Sequence, residues 1–382
     1  MSTEERGHLS APGVDEPGSL LEDATADDSA DDLGWDHADD TSERTRGRRI
    51  ARRALIGLGI FSLVFALVAG GGLWWLTDRY AGDIERVGNV FDEIPEAERP
   101  APAKPAGPAV ADRPVTFLLV GSDSRDVATD GETPGARSDA IMIARVESDR
   151  KHAQIISVPR DTWVDIPGYG MNKINASYAF GGPSLLIQTV EQLTGVRIDH
   201  FVAIDFAGLA EVTEAMGGVD VYVAERTENG GRVFEQGWNR ITGEDARWYL
   251  GQRYGLPGGD FDRVKRQQQF LKAIMNQMIS SETFGNLGRL DRTLRAVGGS
   301  VAVDNELGNR ELLSLAYSMR NIEKSGVSYF TAPDAGTGME GRASVVYLNE
   351  NEADRMWEYL NTDSLGANAA EFEDYGLGDQ PR

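Results

Sequence analysis

The sequence predicts an α/β layered domain with a largely buried sheet, beginning near Val115 of the 382-residue chain. Three observations carry that prediction. The runs VTFLLVG (115–121), AIMIARV (140–146) and AQIISVP (153–159) are apolar, rich in β-branched residues and bounded by turn residues, which is the signature of strands. Further strand runs alternate with stretches of helical periodicity, the pattern of helices layered on a sheet. About 250 residues in one piece suffice to bury such a core.

Taken in order, the chain starts with an acidic stretch. Residues 1–43 carry fourteen Asp and Glu against one Arg, with few large apolar residues, so disorder is expected. A basic cluster at 44–53 follows: Arg44, Arg46, Arg48, Arg49, Arg52 and Arg53. Residues 54–76, ALIGLGIFSLVFALVAGGGLWWL, hold no charge and span about 34 Å as a helix, enough to cross a bilayer. Trp74 and Trp75 sit where aromatic residues anchor at an interface, and the arginines precede the span. A single-pass anchor with a cytoplasmic N-terminus is predicted, the rest of the chain lying outside the cytoplasm. Residues 77–113 read as a spacer, with a short helix over Thr77–Phe91 and a semi-extended Pro/Ala-rich segment over Glu93–Pro114.

The domain proper is expected over 114–362. After its three opening strands, helices are predicted at Pro183–Thr194, Ala207–Met216, Glu244–Arg253, Asp260–Ser280, Glu306–Asn321 and Glu352–Tyr359. HFVAIDF (200–206), VDVYVAE (219–225), VSYFTAP (327–333) and ASVVYLN (343–349) read as strands. The remainder, 363–382, is acidic and reads as a loose tail. The net charge of −23 opposes general nucleic-acid binding, and the absence of cysteine excludes disulfides, a thiolate nucleophile and Cys-ligated metal.

Chemistry concentrates at the strand ends. Gly121-Ser122-Asp123-Ser124-Arg125 closes the first strand, Arg137-Ser138-Asp139 opens the second, and Pro159-Arg160-Asp161 closes the third. Lys173-Ile174-Asn175 follows a Gly-rich turn. In Gly251–Gln269, a Gly/Pro-rich turn after Arg253 leads to Asp260 and a helical run. On a wheel, Asp260, Arg263 and Gln267 share the inward side with Val264, Leu271, Ile274, Met275 and Met278. Lys265, Arg266, Gln269, Lys272 and Asn276 take the other side, toward water. Polar groups on an inward face need partners or a cavity. Either Asp260 caps the helix and Arg263 and Gln267 form a satisfied network, or the trio lines an anion pocket. Asp123 and Asp139 could share a hard cation such as Mg²⁺. Arg125, Arg137, Arg160, Arg253 and Arg263 could clamp phosphate oxygens, a mixture suited to phosphoryl transfer. His152 and His200 stand in no motif and read as surface or packing residues. There is no GxSxG elbow for a serine hydrolase.

Four blocks, GSDSR, RSDAIMIA, SVPRDTWVDIPGYGMNKINASYAFGG and QRYGLPGGDFDRVKRQQ, occur in an order that resembles the LytR-CpsA-Psr family over about Pro114–Ser280. The resemblance implies a three-layer α/β/α domain with a central mixed sheet and a hydrophobic tunnel for a lipid. It implies a phosphotransferase that moves a glycopolymer, such as wall teichoic acid, capsule or arabinogalactan, from a polyprenyl-diphosphate carrier onto a peptidoglycan hydroxyl. By matching position, Asp123 and Asp139 would bind Mg²⁺, with Mn²⁺ the substitute. Arg125, Arg137, Arg160, Arg253, Arg263 and Gln267 would contact the diphosphate, and Asp260 would orient an arginine. Asp161 and Lys173 stand near the site, while Val264, Leu271 and Ile274 would line the lipid channel. Where the family's last motif commonly has a further Arg, this chain has Gly251; Arg247, one turn earlier, could reach the same space. Asp161 and Asp260 are the candidate bases. The competing readings are a lipid-diphosphate hydrolase and a non-catalytic lipid-diphosphate-binding regulatory membrane protein.

Overall fold

The computed structural model describes residues 84–104, 113–122, 138, 140–252, 254–278, 283, 286–322 and 324–378. All lie in the second of two compact units, Val68–Arg382. The acidic stretch, the basic cluster and the apolar run 54–76 fall outside the described residues. Among those described, no helix is long and apolar enough to cross a membrane.

Seven strands form the central sheet. In chain order they are β1 (Glu85–Val87), β2 (Val115–Ser122), β3 (Ala140–Val146), β4 (Ala153–Val158), β7 (His200–Asp205), β12 (Val301–Asp304) and β13 (Val327–Thr331). Between β4 and β7 come a hairpin of β5 (Trp163–Ile166) with β6 (Gly170–Lys173) and helix α1 (Ile174–Thr194). Helix α2 (Phe206–Met216), strands β8 (Val219–Val223), β9 (Thr227–Asn229), β10 (Arg232–Phe234) and β11 (Gly237–Ile241), and helices α3 (Glu244–Leu250), α4 (Asp260–Met278) and α5 (Leu287–Gly298) lead to β12. Helix α6 (Asn309–Ser318) precedes β13; β14 (Asp334–Glu340), β15 (Ala343–Leu348) and α7 (Glu350–Asn361) follow it.

The spatial order is β1-β12-β7-β2-β3-β4-β13. β2 pairs antiparallel with β3 and parallel with β7, β3 pairs antiparallel with β4, and β4 pairs parallel with β13. The sheet is therefore mixed, and the apolar runs follow from its burial on both faces. Leu118, Val120, Ile141, Ile143 and Ile156 pack on one face against Leu186, Ile187 and Val190 of α1 and Met356, Trp357 and Leu360 of α7. Ala140, Met142 and Ile155 pack on the other face against residues of α2, α3 and α4. The layers are helix, sheet, helix.

Several elements depart from the sequence expectation. The helix read over Thr77–Phe91 is a strand where it is described: β1 lies parallel to β12, with Val90 and Phe91 buried behind it. The spacer over Glu93–Pro114 docks on the domain in its described part before residue 105, because Arg99 finds the buried carboxylate of Glu191 at 2.8 Å and the Ile198 carbonyl at 2.6 Å. Its Pro/Ala/charge composition conceals that partner. The tail after Asp363 is packed in its described part. Leu365 and Phe372 are buried in the core, and the Asp363 carboxylate accepts the Ser148 N–H at 3.1 Å. The helix begun at Pro183 instead starts at Ile174, with non-helical backbone at Gly181 and at Gly182, whose φ of 61° suits glycine.

The wheel for α4 places two residues wrongly. Arg266 and Gln269 were expected in water and are buried, Arg266 being 9% exposed. α4 is covered on its flank by α3 and the strands around β8, so its buried arc is wider than a single stripe. The Arg266 guanidinium donates to Gln252 Oε1 at 2.7 Å and Thr227 Oγ1 at 2.9 Å and lies 4.8 Å from the centre of the Tyr249 ring. Burial pushes its pKa down, against the attraction of Tyr249 and Asp262. Tyr249 in turn donates to Gln269 Oε1 at 2.7 Å.

His200, read as a packing residue, tilts against Phe117 with ring centres 5.4 Å apart. Its Nδ1 is 3.3 Å from Asp304 Oδ2, which also accepts the Phe201 N–H at 2.9 Å; Oδ1 accepts the N–H groups of Glu306 and Leu307. Burial alone raises the Asp304 pKa, but these hydrogen bonds outweigh it and hold it below the ordinary value.

Two predictions follow from these buried charges. Arg266→Met leaves Gln252 and Thr227 without their donor and costs about 2–4 kcal/mol in urea unfolding, whereas a solvated arginine would cost at most about 0.5 kcal/mol. Asp304→Asn costs about 1–3 kcal/mol at neutral pH. Because the folded carboxyl pKa is depressed, its contribution is complete above the ordinary carboxylate range and is lost as pH falls through the lowered folded value. Wild type and variant therefore converge in acid, which unfolding measured across a pH series will show.

Candidate active site

Strand direction gathers the site. β2, β4, β7 and β13 run parallel with one another, so their C-terminal ends share one rim of the sheet with the N-terminal end of antiparallel β3. Gly121 stands opposite Ala140, and Ser122 is beside Asp205. Binding sites form in such crevices because loops there can carry polar groups clear of the buried sheet.

Arg160 and Asp161 leave the rim directly after β4. Their backbone is fixed by the hairpin, the helix and a later strand. Asn175 N–H donates to the Arg160 carbonyl at 3.2 Å, Ile174 N–H to the Thr162 carbonyl at 2.8 Å, and Val346 N–H to the Asp161 carbonyl at 2.9 Å. Lys173, at the end of β6, reaches back so that its Nζ lies 2.9 Å from Asp161 Oδ1, while Arg160 Nε lies 3.9 Å from Asp161 Oδ2. The carboxylate thus spaces two half-buried cations. These three residues line an open cavity of about 420 Å³ with Asn172, Asn175, Ala176 and Ala179. Lys173 is the N-cap of α1 and makes no side-chain cap bond, and the first N–H groups of the helix go to the Thr162 and Arg160 carbonyls, so the cavity's positive charge is that of Arg160 and Lys173. The arrangement suits an anion with several oxygens.

The other face of the rim is apolar. Gln267 and Leu271, one turn apart on α4, line a small, partly open cavity of about 20 Å³ with Leu119, Gly121, Ala140 and Met142. Gln267 is buried, and its Oε1 has no hydrogen-bond partner among the described residues. Arg263, one turn earlier, is 1% exposed. Val264 and Ile274 are buried on the same helix but do not line this cavity. Leu271 alone of the three expected channel residues does.

Of the residues singled out in the sequence, Arg160, Asp161 and Lys173 come together in one cavity. Gln267 and Leu271 come together in another, whose lining includes the ends of β2 and β3 at Gly121 and Ala140. Arg247 stays on the exposed side of α3 and lines neither cavity. Asp123, Arg125, Arg137, Asp139 and Arg253 lie outside the described residues, as does the side chain of Asp260, which opens α4. Asn175 stands in the Lys173-Ile174-Asn175 segment noted in the sequence, whereas Asn172 was not picked out; its place beside Lys173 ahead of a helix start was the available signal.

Known proteins share this architecture. A family model, that of the LytR_cpsA_psr family, matches residues 92–362. The cell wall biosynthesis protein LcpA of Corynebacterium glutamicum is 31% identical over 292 residues, covering 65% of this chain and 56% of LcpA, so the chain spans about half of that relative. The polyisoprenyl-teichoic acid–peptidoglycan teichoic acid transferase TagU of Enterococcus faecalis is 35% identical over 251 residues, covering 65% of this chain and 78% of TagU. The crystal structure of Bacillus subtilis TagV superposes with a TM-score of 0.54 at 26% identity, covering 66% of this chain and 97% of TagV. With the family model spanning most of the chain and the fold matching solved relatives, the chain belongs to the LytR_cpsA_psr family.

Proposed function

We propose that this chain is a phosphotransferase that moves a glycopolymer from a polyprenyl-diphosphate carrier onto a peptidoglycan hydroxyl, forming a phosphodiester link. One observation carries the reading. A cationic cavity at a helix N-terminus and an apolar cavity under α4 open on the same sheet rim, from its two faces. That pairs a seat for phosphate oxygens with an apolar lining, in a cavity that at about 20 Å³ has still to widen to take a lipid chain. The names of TagU and LcpA, a teichoic acid transferase and a cell wall biosynthesis protein, agree with it.

In this reading the acceptor hydroxyl oxygen attacks the sugar-proximal phosphorus. A new O–P bond forms, the phosphoanhydride P–O bond breaks, and polyprenyl phosphate leaves with the electron pair. Arg160 and Lys173 neutralise the phosphate oxygens as charge shifts onto the leaving group. Arg125, Arg137, Arg253 and Arg263 add cations to the same clamp, Asp260 orients one of them, and Gln267 offers its amide. Asp161, in the cavity between two cations, takes the hydroxyl proton. Leu271 lines the entrance for the polyprenyl chain.

Asp123 and Asp139 would hold a hard divalent cation, Mg²⁺ or Mn²⁺. The chain leaves β2 after Ser122 and returns at Ala140, paired with Gly121, and two carboxylates are an oxygen donor set of the right hardness. Such an ion supplies charge neutralisation to the diphosphate. The polyprenyl carrier agrees with a single-pass anchor over 54–76 in the cell membrane, the domain lying outside the cytoplasm.

The test uses the full chain in detergent with a short saccharide on undecaprenyl diphosphate, Mg²⁺ and peptidoglycan. Arg160→Ala is expected to lower transfer about 100-fold or more, read as radiolabelled saccharide joined to peptidoglycan. Unchanged transfer removes Arg160 from the site. Release of free saccharide phosphate at the same rate with and without peptidoglycan would make the protein a hydrolase.

A further inference from the structure

Beside the cationic cavity two aromatic rings lie exposed and stacked on each other. Tyr169, in the β5–β6 turn, is 56% exposed, and Phe180, on α1, is 44% exposed. Their ring centres are 4.8 Å apart and their planes 22° apart. The hairpin is built to hold Tyr169 there. Ile166 pairs with Gly170, Tyr169 N–H donates to the Ile166 carbonyl at 2.8 Å, and Gly168 and Gly170 take φ of 78° and 72° to close the turn. Phe180 is one helical turn from Ala176, which lines the cavity, so platform and cavity share a face of α1.

We propose that this platform is the docking surface for the acceptor, the glycan strand of peptidoglycan; the inference rests on the transferase reading above. Three observations select that occupant. A pyranose ring presents a C–H face that packs on an aromatic ring and a polar edge that needs amide and charged partners; Asn172 and Asn175 stand in the adjoining cavity. A net charge of −23 disfavours a nucleic acid, whose bases would also stack.

The third observation is position. The apolar cavity at Gln267 and Leu271 opens on the α4 face of the sheet, and α1 covers the opposite face. In-line displacement brings the nucleophile in opposite the leaving group. With polyprenyl phosphate leaving on the α4 face, the hydroxyl arrives from the α1 face, where Tyr169 and Phe180 stand. The new O–P bond then forms beside Asp161, which receives the proton.

The full chain in detergent is titrated calorimetrically with a tetrasaccharide of alternating N-acetylglucosamine and N-acetylmuramic acid, and separately with undecaprenyl diphosphate. Tyr169→Ala and Phe180→Ala are each expected to weaken tetrasaccharide binding about 5- to 10-fold, while Tyr169→Trp keeps it within about twofold. Undecaprenyl diphosphate affinity stays unchanged in all three. Absent tetrasaccharide binding by wild type, or equal binding by the alanine variants, overturns the platform. So does loss of phosphatidylglycerol vesicle binding in those variants without an effect on tetrasaccharide, which would make the rings a membrane contact. Failure of wild type to bind undecaprenyl diphosphate instead overturns the transferase reading, whatever the tetrasaccharide result.

Discussion

Two backbone hydrogen bonds, Asn175 N–H to the Arg160 carbonyl and Ile174 N–H to the Thr162 carbonyl, join the end of β4 to the start of α1. Each satisfies a helix N-terminal donor that the helix itself cannot. Together they fix where Arg160 leaves the sheet, where the helix starts, and how far Lys173 lies from Asp161. Without them the three charged side chains would be strand-end residues in a loop, and the cavity they line would have no defined shape. The Val346 N–H, bonded to the Asp161 carbonyl, adds a third strap from a strand nearly two hundred residues away. Charge is concentrated where the backbone is most constrained, which is what preorganised stabilisation of a phosphate requires.

The fold was legible where apolar runs are continuous. β2, β3 and β4 are buried on both faces, and their sequence has little choice but to show it. The hairpin strands β6, β9, β10 and β14 are mostly polar, and β5 has only four residues, with Val164 and Ile166 buried. They are held largely by pairing, and none is long enough or apolar enough to announce itself by period. The same asymmetry explains β1 and the segment after α7. Each region contributes only a few core residues, Val87 of β1 with Val90 and Phe91 just after it, or Leu365 and Phe372, within a charged background.

The site was legible in residue type and less so in arrangement. Arg160, Asp161 and Lys173 were readable as chemistry, but their convergence depends on strand direction, which periodicity does not encode. The α4 wheel separated inside from outside correctly for Arg263, Val264, Gln267 and Ile274. It failed for Arg266 and Gln269, because a wheel assumes one neighbour and α4 has one on its flank as well. A helical offset says which residues share a face, but not whether that face meets the site.

The break at Gly181–Gly182 divides α1 into two segments, only the first of which borders the cationic cavity. That segment, Ile174–Phe180, also sends Ile174 and Tyr178 into the core; the second carries Leu186, Ile187 and Val190 there. A continuous helix would couple them, since rotating one residue toward a ligand would rotate the core residues out of register. With the glycines between, the exposed positions of the first segment can diverge in sequence while Ile174, Tyr178 and the second segment stay fixed. Among relatives, diversity in what is recognised should therefore collect ahead of the break, on a scaffold that has no need to change.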